Sequence, residues 1–467
     1  LYAQARGRDP QEGSARRHSS ASTGNARVKS ACTLILHESP AIHICGTDCP
    51  EEIMARTDAI VLGAGVVGVS AALHLAKRGL SVALVDRRGV GEETSFGNAG
   101  IIEGNTYFPY PFPLKIGALL KIAFKQAPEA NYHLTHLPKL APWLFAYLRH
   151  STGEAMFEFA EKMRPLFAVS IAEHETLMRE AKAERYLRTN GWLKVYRTAK
   201  AFDESKSDLD AIAAAGIAFQ PLDLAGSMAL EPGLSPVFER GVFWPQAASV
   251  SNPLAVTRAY AELFRSLGGV ILQGDARSLH RADGRWRVDT TEGPVDAQNA
   301  VVALGPWAGD VLDPLGIRLP LEVKRGYHLH FQSKGNKGLN RPVLDAEVGY
   351  AMVPMEQGLR LTTGAEFASR DAPPTPVQFD RLMPQARALF PIGEPVEAEP
   401  WMGRRPCFPD SMPVIGPAPA QPGLWLDYGH AHWGLTLGPV SGRLLADMVT
   451  GATPFTDPAP YRAERFG

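Results

Sequence analysis

The sequence predicts an α/β protein in which a doubly wound, Rossmann-like nucleotide domain is interleaved with a second, α+β domain built on an antiparallel or mixed sheet with helices. Three observations carry this. An apolar run, a glycine turn, a helix-spaced apolar segment and a second apolar run follow one another from Asp58 to Asp86. Between Leu319 and Gly364 the pattern changes to two-residue alternation, the mark of a half-buried sheet. A buried-type apolar run returns at Ala300 to Leu304, and an apolar-periodic helix follows Thr436. The chain therefore leaves the first domain, builds a second and comes back.

The 467 residues suffice for two or more cores, and 45% hydrophobic with 21% charged residues is ordinary for a globular protein. Forty-eight Lys+Arg against 49 Asp+Glu leave a formal charge of -1, so nothing global attracts nucleic acid or an anionic membrane. Cys32, Cys45 and Cys49 lie in the first 50 residues and only Cys407 lies beyond them, which is no disulfide framework. A reducing, cytoplasmic compartment is expected. Cys45 and Cys49 have a spacing that some metal sites use, but no second pair matches it, so no metal is expected. No apolar run approaches the ~18 residues of a membrane-spanning helix, so any membrane contact is expected to be peripheral.

In chain order, residues 1–53 show neither helical nor strand periodicity, and Met54 is the first methionine. They are expected to form a disordered extension, non-native or of targeting origin. In Gly63-Ala64-Gly65-Val66-Val67-Gly68, Gly63 permits the tight turn, Gly65 lets backbone approach a pyrophosphate, and Gly68 lets helix and strand pack closely. The helix N-terminus supplies N–H groups and partial positive charge. Asp86 ends the second strand, where it can accept from a ribose; its charge disfavours a 2′-phosphate, although Arg87 and Arg88 keep that reading open. The loop Thr94-Ser95-Phe96-Gly97-Asn98-Ala99-Gly100 is small and hydroxyl-rich, able to approach a second part of a long cofactor, which points to FAD rather than NAD.

Met156 to Lys182 and Asn252 to Leu267 read as helices, and Val270 to Gln273 as a strand. Residues 54–102, 241–317 and 399–451 are assigned to the nucleotide domain, 103–240 and 318–398 to the second domain, and 452–467 to a C-terminal tail. Gly403-Arg404-Arg405-Pro406 is a stiff segment holding two guanidinium groups, whose planar fork of donors fits a carboxylate; a pair of surface arginines is the other reading. Gly429-His430-Ala431-His432-Trp433-Gly434-Leu435-Thr436 opens the last helix, which ends at Gly451. Its start could oppose the negative charge of a reduced flavin. His430 and His432 read equally well as structural histidines.

Several ordered motifs between Met54 and about Gly451 together resemble the D-amino acid oxidase family of flavoproteins, and within it the D-amino acid dehydrogenase small subunits. They are Gly63 to Asp86, Thr94 to Gly100, Val301 to Trp307, Lys324-Arg325-Gly326-Tyr327, Gly403 to Gly416 and Gly429 to Thr436. The resemblance implies a non-covalent FAD, with pyrophosphate on the first glycine turn, flavin near the Thr94 to Gly100 loop, and pyrimidine edge at Gly434, Leu435 and Thr436. Gly305, Trp307 and Gly403 join this cofactor set. Arg405 is implied to grip a substrate carboxylate. Tyr327 is a second pocket candidate, with a half-buried sheet aromatic as the alternative; similar proteins often have Gly-His-Gly where this chain has Gly429-His430-Ala431-His432, so His432 is expected to add a polar group near the flavin and alter substrate choice. Cys407 does not align with the flavin-linked cysteine of some relatives.

The implied activity is oxidation of a D-amino acid or related secondary (imino) amino acid, with hydride passing from the α carbon to flavin N5. Electrons are expected to go to a quinone or another carrier. The alternatives are an oxygen-using oxidase of the glycine or sarcosine type and a non-catalytic flavoprotein subunit of a larger complex. Phe112 to Lys125, apolar with interspersed lysines, could rest on the inner face of the plasma membrane or be a plain surface helix.

Overall fold

The computed structural model describes residues 55–467 except 105–108, 114–115 and 336–337. The expectations for residues 1–53, with Cys32, Cys45 and Cys49, and for Lys115 lie outside the described residues.

The first unit folds as its spacing predicts: strand Ala55–Leu62, helix Val66–Lys77, strand Val82–Asp86. Ala59 to Leu62 and Val82 to Val85 are all buried, which is what a parallel sheet covered on both faces requires of consecutive residues. The parallel strands run in the order Val270–Gln273, Val82–Asp86, Ala55–Leu62, Val295–Val302, Leu424–Tyr428. Leu62 lies beside Val85 on one side and Val302 on the other, so the strands end together. That common C-terminal edge is where open α/β sheets bind ligands. Val295–Val302 begins earlier than the expected start at Ala300. On the side away from Ala55–Leu62, its first part pairs with the antiparallel strand Arg285–Val288 and its last part with Leu424–Tyr428, so one edge serves two partners.

The last helix, Gly434–Thr450, ends at Gly451 in the left-handed conformation, as expected. It crosses the first helix at close range: a Cβ on Gly442 would lie 2.7 Å from the backbone nitrogen of Ala71. The long helix spans Gly153–Glu180, with Thr152 capping it, and Pro253–Ser266 is capped by Asn252, whose Oδ1 accepts the N–H of Ala255 at 2.9 Å.

The second sheet is eleven-stranded and mostly antiparallel, and Glu322–Ser333 runs through it. On one side this strand pairs with Gly358–Thr362 and Ala365–Phe367; on the other with Trp401–Cys407 and Ile392–Pro395. The expected alternation fails at Arg325 to His328, which are all buried. One face carries Arg325 and Tyr327 against Glu366; the other carries His328 against Phe96 and Trp401, so both faces are covered. Two strands assigned from sequence to the nucleotide domain, Arg240–Trp244 and Trp401–Cys407, pair in this second sheet. Residues 452–467 pack rather than trail: Tyr461 is buried with its hydroxyl donating to the Lys162 carbonyl at 2.5 Å, and Arg465 pairs with Asp410 at 2.7 Å.

Candidate active site

At the C-terminal edge of the parallel strands lies a cavity of about 950 Å³. Its size suits a ligand site. The glycine turn, Asp86 and Arg87, the Thr94 to Ala99 loop, Gly305 and Trp307, and Gly434 to Thr436 all border it. Segments more than 300 residues apart in sequence thus meet because each follows the end of a parallel strand or opens a helix there.

Both helices that start at the cavity lack a side-chain cap. The first has Gly65 at its N-cap position and the last has Trp433; neither carries an acidic residue in its first turn. Uncapped N–H groups and two positive dipole ends therefore face one space, the arrangement an anionic dinucleotide fits. Ser95 Oγ accepts the Val66 N–H at 2.9 Å, so the Thr94 to Gly100 loop lies directly on the first helix start. Buried polar atoms on the wall also lack partners: both oxygens of Asp427, and Nε2 of His430, which stands 3.4 Å from Asp427 Oδ1. Burial pushes the Asp427 carboxyl well up and holds His430 down to about 3.

Some expected cofactor residues have more local roles. Asp86 accepts the N–H of Ala64 at 2.7 Å and of Arg88 at 2.8 Å, bracing the glycine turn while its carboxylate keeps free lone pairs. Arg87 lies over the Trp307 ring at 5.3 Å. Thr94 donates to the Arg404 carbonyl at 2.9 Å, and Asn98 accepts from the Gly100 N–H at 2.8 Å. Gly68 and Gly100 do not border the cavity. A Cβ on Gly68 would stand 1.8 Å from the Gly63 carbonyl oxygen, which is the close helix-to-turn packing expected of it. At Gly403 the space left by the missing side chain is taken by the indole of Trp401, not by open cavity.

Arg405 is in the cavity wall, and its planar group lies across Gly326, where a Cβ would stand 2.4 Å from Nη2. Its bonds go only to carbonyls: Nη1 to Gly364 at 3.0 Å, with longer contacts to Arg325 and Thr363. No carboxylate pairs with it among the described residues. Burial holds its pKa below the ordinary arginine value. His432 lines the same region and is pushed down to about 3, first by burial and then by the charges of Arg405 and Lys324. Ala431 beside it adopts φ 51°, a left-handed conformation that costs a non-glycine residue roughly 1–2 kcal/mol.

Tyr327 borders the cavity, but its hydroxyl is occupied within the fold. It donates to Glu366 at 2.5 Å and accepts from Arg325 at 3.2 Å and from the Thr375 N–H at 2.8 Å. The strand that carries Arg405 is adjacent, yet the Tyr327 hydroxyl turns toward the buried Arg325–Glu366 pair. Glu103, Tyr110 and Trp401 are among the wall residues that escaped the sequence reading. The signal available for Glu103 was a single acid set among Ile101, Ile102 and Gly104. Burial pushes Glu103 up to about 7, while the indole N–H of Trp433 pulls the other way. Cys407 is buried on the same wall, and burial pushes its thiol up.

A family model described as FAD dependent oxidoreductase matches residues 58–448. D-amino acid dehydrogenase of Rhizobium johnstonii is 32% identical over 420 residues, covering 87% of this chain and 99% of that protein. D-amino acid dehydrogenase of Cereibacter sphaeroides is 32% identical over 434 residues, covering 87% and 95%. Among solved structures, glycine oxidase from Geobacillus kaustophilus superposes with a TM-score of 0.67 at 23% identity, covering 87% of this chain and 98% of that one. L-amino acid deaminase from Proteus vulgaris gives 0.67 at 18% identity, covering 90% and 99%. These structural likenesses show the fold, while the sequence relatives align along nearly their whole length and the family model spans both sheets; the chain belongs to the DAO family of FAD-dependent oxidoreductases.

Proposed function

We propose that this protein oxidises the carbon–nitrogen bond of a D-amino acid or a related secondary amino acid and passes the electrons to a quinone or another carrier. The observation that carries the reading is Arg405, a half-buried guanidinium in the cavity wall with carbonyl partners and no carboxylate among the described residues. A cation partly withdrawn from water without a counter-charge is held at a cost, and a substrate carboxylate would relieve that cost with a two-pronged hydrogen bond. The D configuration and the dehydrogenase rather than oxidase reading draw support from the sequence relatives, which are named D-amino acid dehydrogenases.

FAD, when bound, supplies the two-electron acceptor. The residues that would hold it are the glycine turn with Gly65, Val66 and Ser95 at the pyrophosphate, Asp86 near a ribose, and Gly434 to Thr436 at the flavin's pyrimidine edge. Arg405 then anchors and orients the substrate, and the surrounding wall excludes water. His432, held neutral, shapes the pocket beside Arg405. The cofactor body is assigned to residues 54–102, 241–317 and 399–451 and the substrate body to 103–240 and 318–398, with Arg240–Trp244 and Trp401–Cys407 crossing between them. The helix Ile116–Ala123 is assigned a peripheral membrane contact on the cytoplasmic face, near a quinone pool; no described helix is long and apolar enough to cross a membrane.

The test is anaerobic. Purified holoenzyme is mixed with D-amino and N-substituted amino acids and flavin bleaching is recorded, then an artificial quinone and oxygen are compared as acceptors. Arg405→Ala should raise the substrate concentration for half-maximal bleaching by at least ~10²-fold, the scale of a lost buried charge pair. Unchanged bleaching in that variant would remove the carboxylate anchor, no bleaching with any substrate would favour a non-catalytic subunit, and fast peroxide formation would make the protein an oxidase.

A further inference from the structure

Glu103 is held on both sides of its main chain: its N–H donates to Thr436 Oγ1 at 3.2 Å, and its carbonyl accepts from Ser170 Oγ at 2.9 Å. One carboxylate oxygen, Oε2, accepts the indole N–H of Trp433 at 2.8 Å. Oε1 has no hydrogen-bond or ion-pair partner among the described residues, and the side chain borders the cavity. Trp433 leads on to His432, ring centres 4.0 Å apart, and His432 to Tyr110, 5.2 Å apart. Tyr110 is exposed as a whole residue, but its hydroxyl turns into the cavity and lies in the field of two opposite charges: desolvation of the hydroxyl and Glu103 push it up, and Arg405 pulls it down. Lys324, a further cation of this wall, is occupied by the ring faces of Tyr147 at 3.7 Å and Trp143 at 5.1 Å.

The cavity thus holds a cation without an anion, Arg405, and an anion without a cation, Glu103. An amino acid zwitterion carries the two complementary charges on one small molecule. We propose that Glu103 receives the substrate's ammonium group and takes its proton, so that the amine is uncharged when the carbon–hydrogen bond breaks; this rests on the amino acid reading of the cavity. One ammonium N–H bond breaks, one O–H bond forms on Glu103 Oε1, and the nitrogen keeps the electron pair that the later C=N bond requires. Nothing is oxidised or reduced in this step. A carboxyl brought to about 7 by burial is matched to such a transfer near neutral pH. Of the titratable or charged groups on this wall, Tyr110 interacts with Glu103, and Tyr110 in turn meets the field of Arg405 and the ring of His432, which is neutral there.

The experiment uses the holoenzyme and Glu103→Gln, which keeps an acceptor for Trp433, with two readouts. Propionate, which has a carboxylate and no amine, is titrated against the flavin absorbance; D-alanine is used for anaerobic flavin reduction across pH 5.5 to 10, a range of about 4.5 units centred on neutral to mildly basic conditions. Glu103→Gln should bind propionate as tightly as the unchanged protein or more so. Its reduction at pH 7 should be ~10²-fold slower or worse, with the acid limb moved upward to the amine's own titration. Glu103→Asp, which restores a carboxyl, should restore an acid limb below that of the glutamine variant. An unaltered rate and pH profile in Glu103→Gln would overturn the proposal, and a defect confined to D-lysine would overturn it in favour of side-chain recognition. Arg405→Ala tests the underlying reading separately: if it binds propionate normally, the amino acid site itself is wrong.

Discussion

The Tyr327 hydroxyl closes a buried network beside the cavity. Glu366 carries most of that network, accepting from Arg325 at 2.6 and 2.8 Å, from Tyr327 at 2.5 Å and from Asn131 at 2.9 Å. Removing the hydroxyl in Tyr327→Phe leaves the Thr375 N–H without its acceptor and takes one donor from a buried carboxylate. A loss of about 1–3 kcal/mol is expected in denaturant unfolding, the range for an orphaned buried group, with flavin content retained and the D-amino acid concentration for half-maximal bleaching changed by less than about threefold. A hundredfold fall in reduction rate with unchanged stability would instead place the hydroxyl at the substrate. Sequence shows that a tyrosine stands on this strand, two residues from Arg325, but which face its hydroxyl serves depends on Glu366, a partner some forty residues away. That Arg405 stands in the cavity wall was legible for the opposite reason. Its neighbours Gly403 and Pro406 and the family motif lie in one short segment, although the carbonyls that hold it come from residues 325, 363 and 364.

Among the elements, Ile116–Ala123 is two-faced in an unusual way. Leu119, Ile122 and Ala123 border the cavity, while Ile116, Leu120 and Phe124, spaced four apart, are exposed at 75%, 51% and 70%. Lys121 and Lys125 flank that outer face. Three exposed apolar groups in a row with nearby cations match a helix lying in a membrane interface. Leu120→Glu with Phe124→Glu should abolish sedimentation with vesicles containing phosphatidylglycerol and slow reduction of a membrane-embedded quinone, while a water-soluble acceptor is reduced at the original rate. Equal vesicle binding by both proteins would make this a plain surface helix. The periodic elements were the readable ones: the βαβ unit, the helices at Gly153–Glu180 and Pro253–Ser266, and the helix ending at Gly451 were each written in local spacing and caps. The central sheet strand was misread over Arg325 to His328 because alternation assumes one wet face, and here loop Thr94 to Gly100 and Trp401 cover the second. Short strands such as Ala130–Tyr132 and Ala365–Phe367 left no period to read.

At the scale of the whole molecule, the sheets and the cavity between their helices bury several histidines as neutral rings. His174 shows why: its Nε2–H meets the Leu435 carbonyl at 2.7 Å and its Nδ1 the Tyr260 hydroxyl at 2.8 Å, so the long helix positions the start of the last one through an uncharged imidazole. Burial brings it down to about 4, His74, His430 and His432 to about 3, and His328 to about 2, all from 6.5. The folded pKa lies below the unfolded one in each case, so the unfolded chain binds more protons as pH falls through 6.5, and the stability present above that value is lost below it. Three carboxyls, Glu103, Asp427 and Glu231, act in the opposite sense. Glu103, raised to about 7, and Asp427, raised well above 3.8, take up protons first in the folded state and gain stability as pH falls. With His330, which burial also lowers, six histidines against three carboxyls leave a net uptake of about three protons on unfolding between pH 6 and 5, a slope of roughly 4 kcal/mol per pH unit. Against a total stability of about 5–15 kcal/mol for an ordinary domain, that slope is steep enough to unfold the protein within about two pH units. The thermal midpoint of the holoenzyme, followed by flavin fluorescence and by far-ultraviolet circular dichroism, should therefore hold level from pH 8 to 7 within about a unit of its best value and collapse below about pH 6. A midpoint that stays flat down to pH 5 would mean that these imidazoles accept protons in the folded state, and with that the neutral contact between His174 and the helix start at Leu435 would fail.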